Sequence, residues 1–189
     1  MYLDTSVLLK LFVRELDSEF YGKLADGQAL CSSVLAYTEF WSALLAKERG
    51  GAITAAQRQQ AWSAFDLNVV EDLIDLTPMS PAIFKRANRI LEKCHPKVPL
   101  RSLDALHLAS ADQAQDWPLV TGDKRMRDAA ELLGFSLTPL PTWRRHPAPA
   151  GIFRNARRQA RPGSSARTLM KRITPRVSAR GDYGCGTRS

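Results

Sequence analysis

The sequence predicts an α/β protein with a parallel sheet covered on both faces by helices, and three observations predict it. Short apolar runs of strand length recur through residues 1–141. Amphipathic stretches of helical length separate them. Turn and cap residues, such as Asp26-Gly27, Thr77-Pro78 and Ser80-Pro81, punctuate the boundaries. Strands that alternate with helices imply βαβ units, and βαβ units imply parallel pairing.

The elements follow in order. Residues 1–4 form a short strand, and Thr5 or Ser6 is placed to cap a helix through about Val13. A helix over 18–25 ends at Asp26-Gly27. Residues 29–32 read as a strand, and Ser33 can cap a long helix through Leu45 that stops at Gly50-Gly51. Thr54 opens a helix over about 55–68, and residues 72–76 read as the next strand. Ser80-Pro81 is an N-cap and first-turn pair for a helix to about Cys94. Pro96 and Pro99 break the chain before a helix over about 101–115. A strand at 119–121, a helix at 123–133 and a last strand at 135–137 complete the series.

The net charge of +8 divides unevenly. Residues 1–141 carry 15 Lys and Arg against 18 Asp and Glu, whereas residues 142–189 carry 12 against 1. A mildly acidic body is therefore joined to a strongly basic tail. Only five of the 48 tail residues are Leu, Ile, Val or Phe, too few to close a core, so disorder is expected there. The domain boundary is placed at 141/142. No run of eighteen apolar residues occurs, so no membrane-spanning helix is expected. The opening MYLDTSVLLKLF lacks the basic start of a signal peptide, and the cysteines (Cys31, Cys94 and Cys185) are scattered and odd in number. Both features point to a reducing, cytoplasmic setting. The three histidines have no zinc-binding spacing with cysteine.

Four acids stand almost alone among apolar neighbours: Asp4 in MYLDTSVLL, Glu39 in LAYTEFWSALLA, Asp104 in SLDALHLASA and Asp123 in PLVTGD. A carboxylate in apolar surroundings is disfavoured by desolvation, so four in one domain suggest convergence on a neutralising group. A hard divalent cation, Mg²⁺ or Mn²⁺, suits oxygen ligands and would let the cluster activate water against a phosphodiester. Thr5, Ser6 and Thr121 are suited to hold a carboxylate or a bound water. No Ser–His–Asp nucleophile and no glycine-rich phosphate loop is evident. Structural readings stay open beside this one. Asp4 could complement a helix dipole, Glu39 could pair with a buried Lys or Arg, Asp104 could pair with Arg101, and Asp123 could cap a helix. Asp128 is a fifth, weaker candidate. His107 reads as a packed core histidine, and Trp41, Trp62 and Phe65 as core or helix-interface aromatics.

Together, DTSVLLKLF at 4–12, SSVLAYTEFWSAL at 32–44, SLDALHLASA at 102–111 and TGDKRM at 121–126 resemble the PIN-domain family. The similarity is greatest to VapC-type toxins of bacterial type II toxin–antitoxin systems, and it runs over residues 1–141. The resemblance implies a three-layer α/β/α sandwich and a Mg²⁺- or Mn²⁺-dependent endoribonuclease. It assigns Asp4 and Asp104 to the metal, Glu39 and Asp123 to the rest of the acidic pocket, and Thr5, Ser6 and Thr121 to support. It further implies an RNA substrate, a homodimer and a cognate antitoxin, with DNA bound only indirectly through the antitoxin. Two departures stand out. Lys124-Arg125-Met126 replaces the more usual pair after the T-x-D turn, and the basic tail extends beyond where such chains end.

A non-catalytic PIN-like module that binds RNA or protein is the alternative. The tail either adds salt-sensitive RNA affinity or is an extension without a selected role. Removing residues 142–189 is expected to leave a cooperative thermal melt and an unchanged circular dichroism spectrum. Loss of cooperative unfolding would move the boundary.

Overall fold

The computed structural model describes residues 1–141; the tail expected to be disordered, and its boundary, lie outside the described residues. The element order is β1 (Tyr2–Leu3), α1 (Thr5–Phe12), α2 (Ser18–Ala25), β2 (Leu30–Ser33), α3 (Ala36–Arg49) and α4 (Ala55–Val70). It continues with β3 (Ile74–Thr77), α5 (Pro81–Cys94), α6 (Ser102–Ala114), β4 (Leu119–Val120) and α7 (Lys124–Leu133). The strands pair in parallel in the order β3-β2-β1-β4. The last expected strand, 135–137, is reduced to one parallel bridge between Leu119 and Leu137.

The alternation of side chains along each strand sorts the core into two halves. Tyr2 and Leu119 enter a cluster with Ile83, Ile90, Leu108 and Ala129 of α5, α6 and α7. Leu3 and Val120, one residue on, enter a second cluster with Leu8, Phe40, Leu44 and Phe65 of α1, α3 and α4. Because successive strand residues point to opposite faces, two-residue strands suffice to anchor a helical layer on each side. The architecture is a three-layer α/β/α sandwich, as the sequence predicts. No helix among the described residues is long and apolar enough to cross a membrane.

The second cluster is built on aromatics. Phe40 and Phe65 stack with centroids 4.4 Å apart, and Phe12 meets both edge-on at 5.6 and 5.9 Å. Trp41 and Trp62 close the α3–α4 seam at 5.0 Å. Lys10 of α1 is buried but paired with Asp17 at 2.7 Å, and its ammonium lies over the Tyr21 ring.

Several boundaries differ from expectation for local reasons. Asp4, not Thr5 or Ser6, caps α1. Ser33 stays in β2, in register with Thr77, so α3 begins only at Ala36 and runs on to Arg49. Asp72 adopts a left-handed conformation (φ 56°), which delays β3 to Ile74. Gly134, at φ 77°, ends α7 in a conformation that favours glycine.

Phe65→Ala would empty the centre of the stacked cluster. The expected loss is about 3–5 kcal/mol of unfolding free energy, read from urea denaturation. A change below about 1 kcal/mol would mean that α4 does not depend on that stack.

Candidate active site

All four isolated acids line one open cleft of about 490 Å³ at the carboxyl edge of the sheet. Each enters from the first turn of a different helix. Asp4 is the N-cap of α1 and Asp123 the N-cap of α7, while Glu39 and Asp104 lie in the first turns of α3 and α6. The unpaired N–H groups and partial positive charge of a helix N-terminus, about half an elementary charge, favour a carboxylate there. Capping and clustering are therefore the same placement for Asp4 and Asp123.

The hydroxyls of Ser6 and Thr121 both reach Asp4, and that of Thr5 reaches Glu39. Asp4 Oδ1 accepts from Ser6 Oγ at 2.8 Å and from the Val7 amide at 2.7 Å, and Oδ2 accepts from Thr121 Oγ1 at 2.5 Å. Thr121 Oγ1 also accepts from the Asp123 amide at 3.1 Å, which ties the two acidic turns together. Asp123 Oδ1 takes the amides of Arg125 and Met126 at 2.7 and 3.2 Å. Its Oδ2 lies 3.9 Å from the Arg125 guanidinium.

Among the described residues, Glu39 has no Lys or Arg partner. Its Oε2 accepts from Thr5 Oγ1 at 2.5 Å and lies 2.7 Å from His107 Nε2. Burial alone would raise its pKa, but hydrogen bonding to and electrostatic attraction by His107, together with the Thr5 hydrogen bond, hold it below the ordinary value. His107 is only 4% exposed and its Nδ1 lies 2.9 Å from the Tyr2 hydroxyl. Burial above all pushes the Tyr2 phenol well above its ordinary pKa, so the O–H keeps its proton. Sequence reasoning placed His107 in the core and overlooked Tyr2. The isolation of His107 in an apolar helix, one turn from Asp104, was a usable signal; Tyr2 gave none.

Asp104 is the least satisfied of the four. Its Oδ2 is buried and has no hydrogen-bond partner. Burial first, and then the negative charge of Asp123, raise its pKa above the ordinary carboxylate value, against weaker help from the Arg101 backbone N–H and the Arg125 and Arg101 charges. Asp128, the weaker fifth candidate, forms an exposed pair with Lys124 at 2.5 Å and does not line the cleft.

The donor set is all oxygen, which suits a hard divalent cation, and the bare Asp104 oxygen is where positive charge would be most favourable. Among the described residues, no three His, Cys, Asp or Glu side chains stand close enough to enclose a metal ion. Any cation here would be held by few protein oxygens and would keep several waters.

Comparison with known proteins identifies the family. A family model described as PIN domain matches residues 1–132. The chain belongs to the PIN-domain family. This PIN domain is also 34% identical over 142 residues to ribonuclease VapC46 of Mycobacterium tuberculosis (strain ATCC 25618 / H37Rv), covering 72% of this chain and 95% of the relative. The resemblance to VapC-type PIN proteins read from four short segments is thus upheld over most of the chain.

The two shifted acids of the PIN domain link to stability with opposite signs. Asp104, raised in the fold, contributes stability at pH below its unfolded pKa, and that contribution is lost as pH rises through the raised native value. Glu39, lowered in the fold, contributes above its unfolded pKa, and its share is lost as pH falls through the native value. Asp123→Asn should therefore lower the Asp104 pKa, followed by carboxyl ¹³C NMR without divalent cations. An Asp104 pKa that does not move would mean that the two carboxylates are not coupled.

Proposed function

We propose that this PIN domain is a metal-dependent endoribonuclease, the toxin of a type II toxin–antitoxin pair, that hydrolyses RNA phosphodiester bonds in the cytoplasm. The observation that carries the metal-dependent part is Asp104 Oδ2, buried without a donor and next to the charge of Asp123. A carboxylate left so exposed to repulsion is poised for a cation. The ribonuclease part is supported by membership of the PIN family and by similarity to ribonuclease VapC46.

Mg²⁺ or Mn²⁺ would be held by Asp4 and Asp104, with Glu39 and Asp123 taking part directly or through water. When bound, it supplies positive charge against the phosphodiester and lowers the pKa of a water. The chain's own residues do the rest. Ser6, Thr121 and the Val7 amide fix the Asp4 carboxylate, and the amides of Arg125 and Met126 fix Asp123. Among the described residues, the cleft is lined by one serine, Ser6, whose hydroxyl is given to Asp4, and by no cysteine, so this reading takes water as the attacking group. Arg125, partly exposed with its guanidinium 3.9 Å from Asp123 Oδ2, is the group this reading assigns to an RNA phosphate. A homodimer and a cognate antitoxin that covers the acidic cleft belong to the same reading, with DNA reached only through that antitoxin.

A second reading is favoured by one observation: among the described residues, no three His, Cys, Asp or Glu side chains are grouped so as to hold a metal. A binding-only PIN module would show the same arrangement. Titration with Mn²⁺ separates the two readings, because a binding-only module should show no uptake that depends on these four side chains.

Purified protein free of antitoxin should cleave RNA with Mg²⁺ or Mn²⁺ and stop with EDTA. Asp4→Asn and Asp104→Asn should each lower the cleavage rate by at least about a hundredfold, since they remove groups that act on the metal itself. Full metal-dependent cleavage by both variants would overturn the assignment.

A further inference from the structure

Glu39 is held unlike the other three acids. Both donors that reach it, Thr5 Oγ1 and His107 Nε2, end on the same oxygen, Oε2, at 2.5 and 2.7 Å. No hydrogen bond within the described residues reaches Oε1. The two donors come from different layers of the sandwich, Thr5 from α1 and His107 from α6, so the carboxylate is gripped across the end of the sheet. An ionised carboxylate only accepts, so the imidazole nitrogen facing it must carry a proton. On the far side of the ring, Nδ1 meets the Tyr2 hydroxyl at 2.9 Å. Tyr2 is fully buried and cannot turn to water without leaving β1, where it pairs with both Cys31 and Leu119.

We propose that Tyr2 donates to His107 Nδ1, locking the tautomer with the proton on Nε2, and that His107 is thereby a positioning residue that presents only Oε1 of Glu39 to the cleft. Thr5 alone could not do this, because a single hydroxyl leaves the carboxylate free to rotate about the bond it accepts. Two donors on one oxygen fix the plane as well as the distance. Groups that orient a ligating side chain from behind are typically worth 10–100-fold in metal affinity or activity. The catalytic consequence rests on the nuclease reading; the orientation of Glu39 does not.

The test has two arms, both on the full chain. In the first, ¹⁵N NMR of the His107 ring reads which nitrogen carries the proton, without any need for activity. Wild type is expected to show a proton on Nε2 and none on Nδ1, and Tyr2→Phe to shift the Nδ1 resonance as that nitrogen loses its donor while Nε2 stays protonated. A wild-type proton on Nδ1, or a ring unchanged by Tyr2→Phe, overturns the lock. In the second arm, His107→Gln, whose amide N–H can replace Nε2–H, is compared with His107→Leu, which has no donor. Mn²⁺ affinity is measured by calorimetry, and kcat and KM by RNA cleavage.

His107→Leu should lose about 10–100-fold in kcat and in Mn²⁺ affinity with KM little changed, while His107→Gln should stay within a few-fold of wild type. Equal behaviour of the two variants, or wild-type kcat in His107→Leu, overturns the positioning role. If His107→Leu does not fold, a His107→Gln that loses as much as 10-fold in Mn²⁺ affinity is the overturning result. If wild type itself neither takes up Mn²⁺ nor cleaves RNA, the nuclease reading falls, and the ring spectrum still decides the orientation.

Discussion

Every strand of the sheet runs in the same direction, and the placement of Asp4, Glu39 and Asp123 follows from that, whereas Asp104 sits on α6, which follows another helix. A helix that leaves a parallel strand must start at the carboxyl edge, so successive helix N-termini collect there. Asp4 comes directly after β1 and Asp123 three residues after β4, the two strands that lie side by side in the sheet. Glu39 follows β2, on the other flank of β1. The repulsion of four neighbouring carboxylates is thus met by helix N-termini directed toward the same space. That compensation is partial, and its shortfall is concentrated on Asp104, whose buried oxygen receives no donor. The cluster is a place where local satisfaction is given up for the sake of a charge that the fold alone does not balance.

Much of this was legible in the sequence because it is carried by short-range signals. Ser80-Pro81 marks a helix start whatever the rest of the chain does, and Ser80 does cap α5. The isolation of Asp4, Glu39, Asp104 and Asp123 among apolar residues survives any detail of packing, and all four reach one cleft. The supporting hydroxyls were also visible, since Thr5 and Ser6 adjoin Asp4 and Thr121 lies two residues before Asp123.

What stayed hidden depends on contacts between distant residues. The structural alternative for Glu39 names a Lys or Arg partner, whereas the side chain that meets it across the fold is His107, 68 positions away. Nothing in either local stretch specifies that meeting, which requires α3 and α6 to be brought to the same sheet edge from opposite layers. Ser33 misled for a related reason. A serine before an apolar helical run is a sound cap by local rules, yet pairing with Thr77 holds it in the sheet. Local propensity lost to tertiary pairing there. The strand over 135–137 shrank to one bridge at the sheet margin.

Glu39 and Phe40 are consecutive residues of α3 with opposite tasks. Phe40 lies fully buried against Phe65, with ring planes 15° apart, while Glu39 faces the cleft. A helix turns about 100° per residue, so a rotation that eases one side chain displaces the other. A substitution that repacks the aromatic seam at Phe40 therefore also re-aims Glu39 in the cleft, so the core and the cleft share one helix rotation.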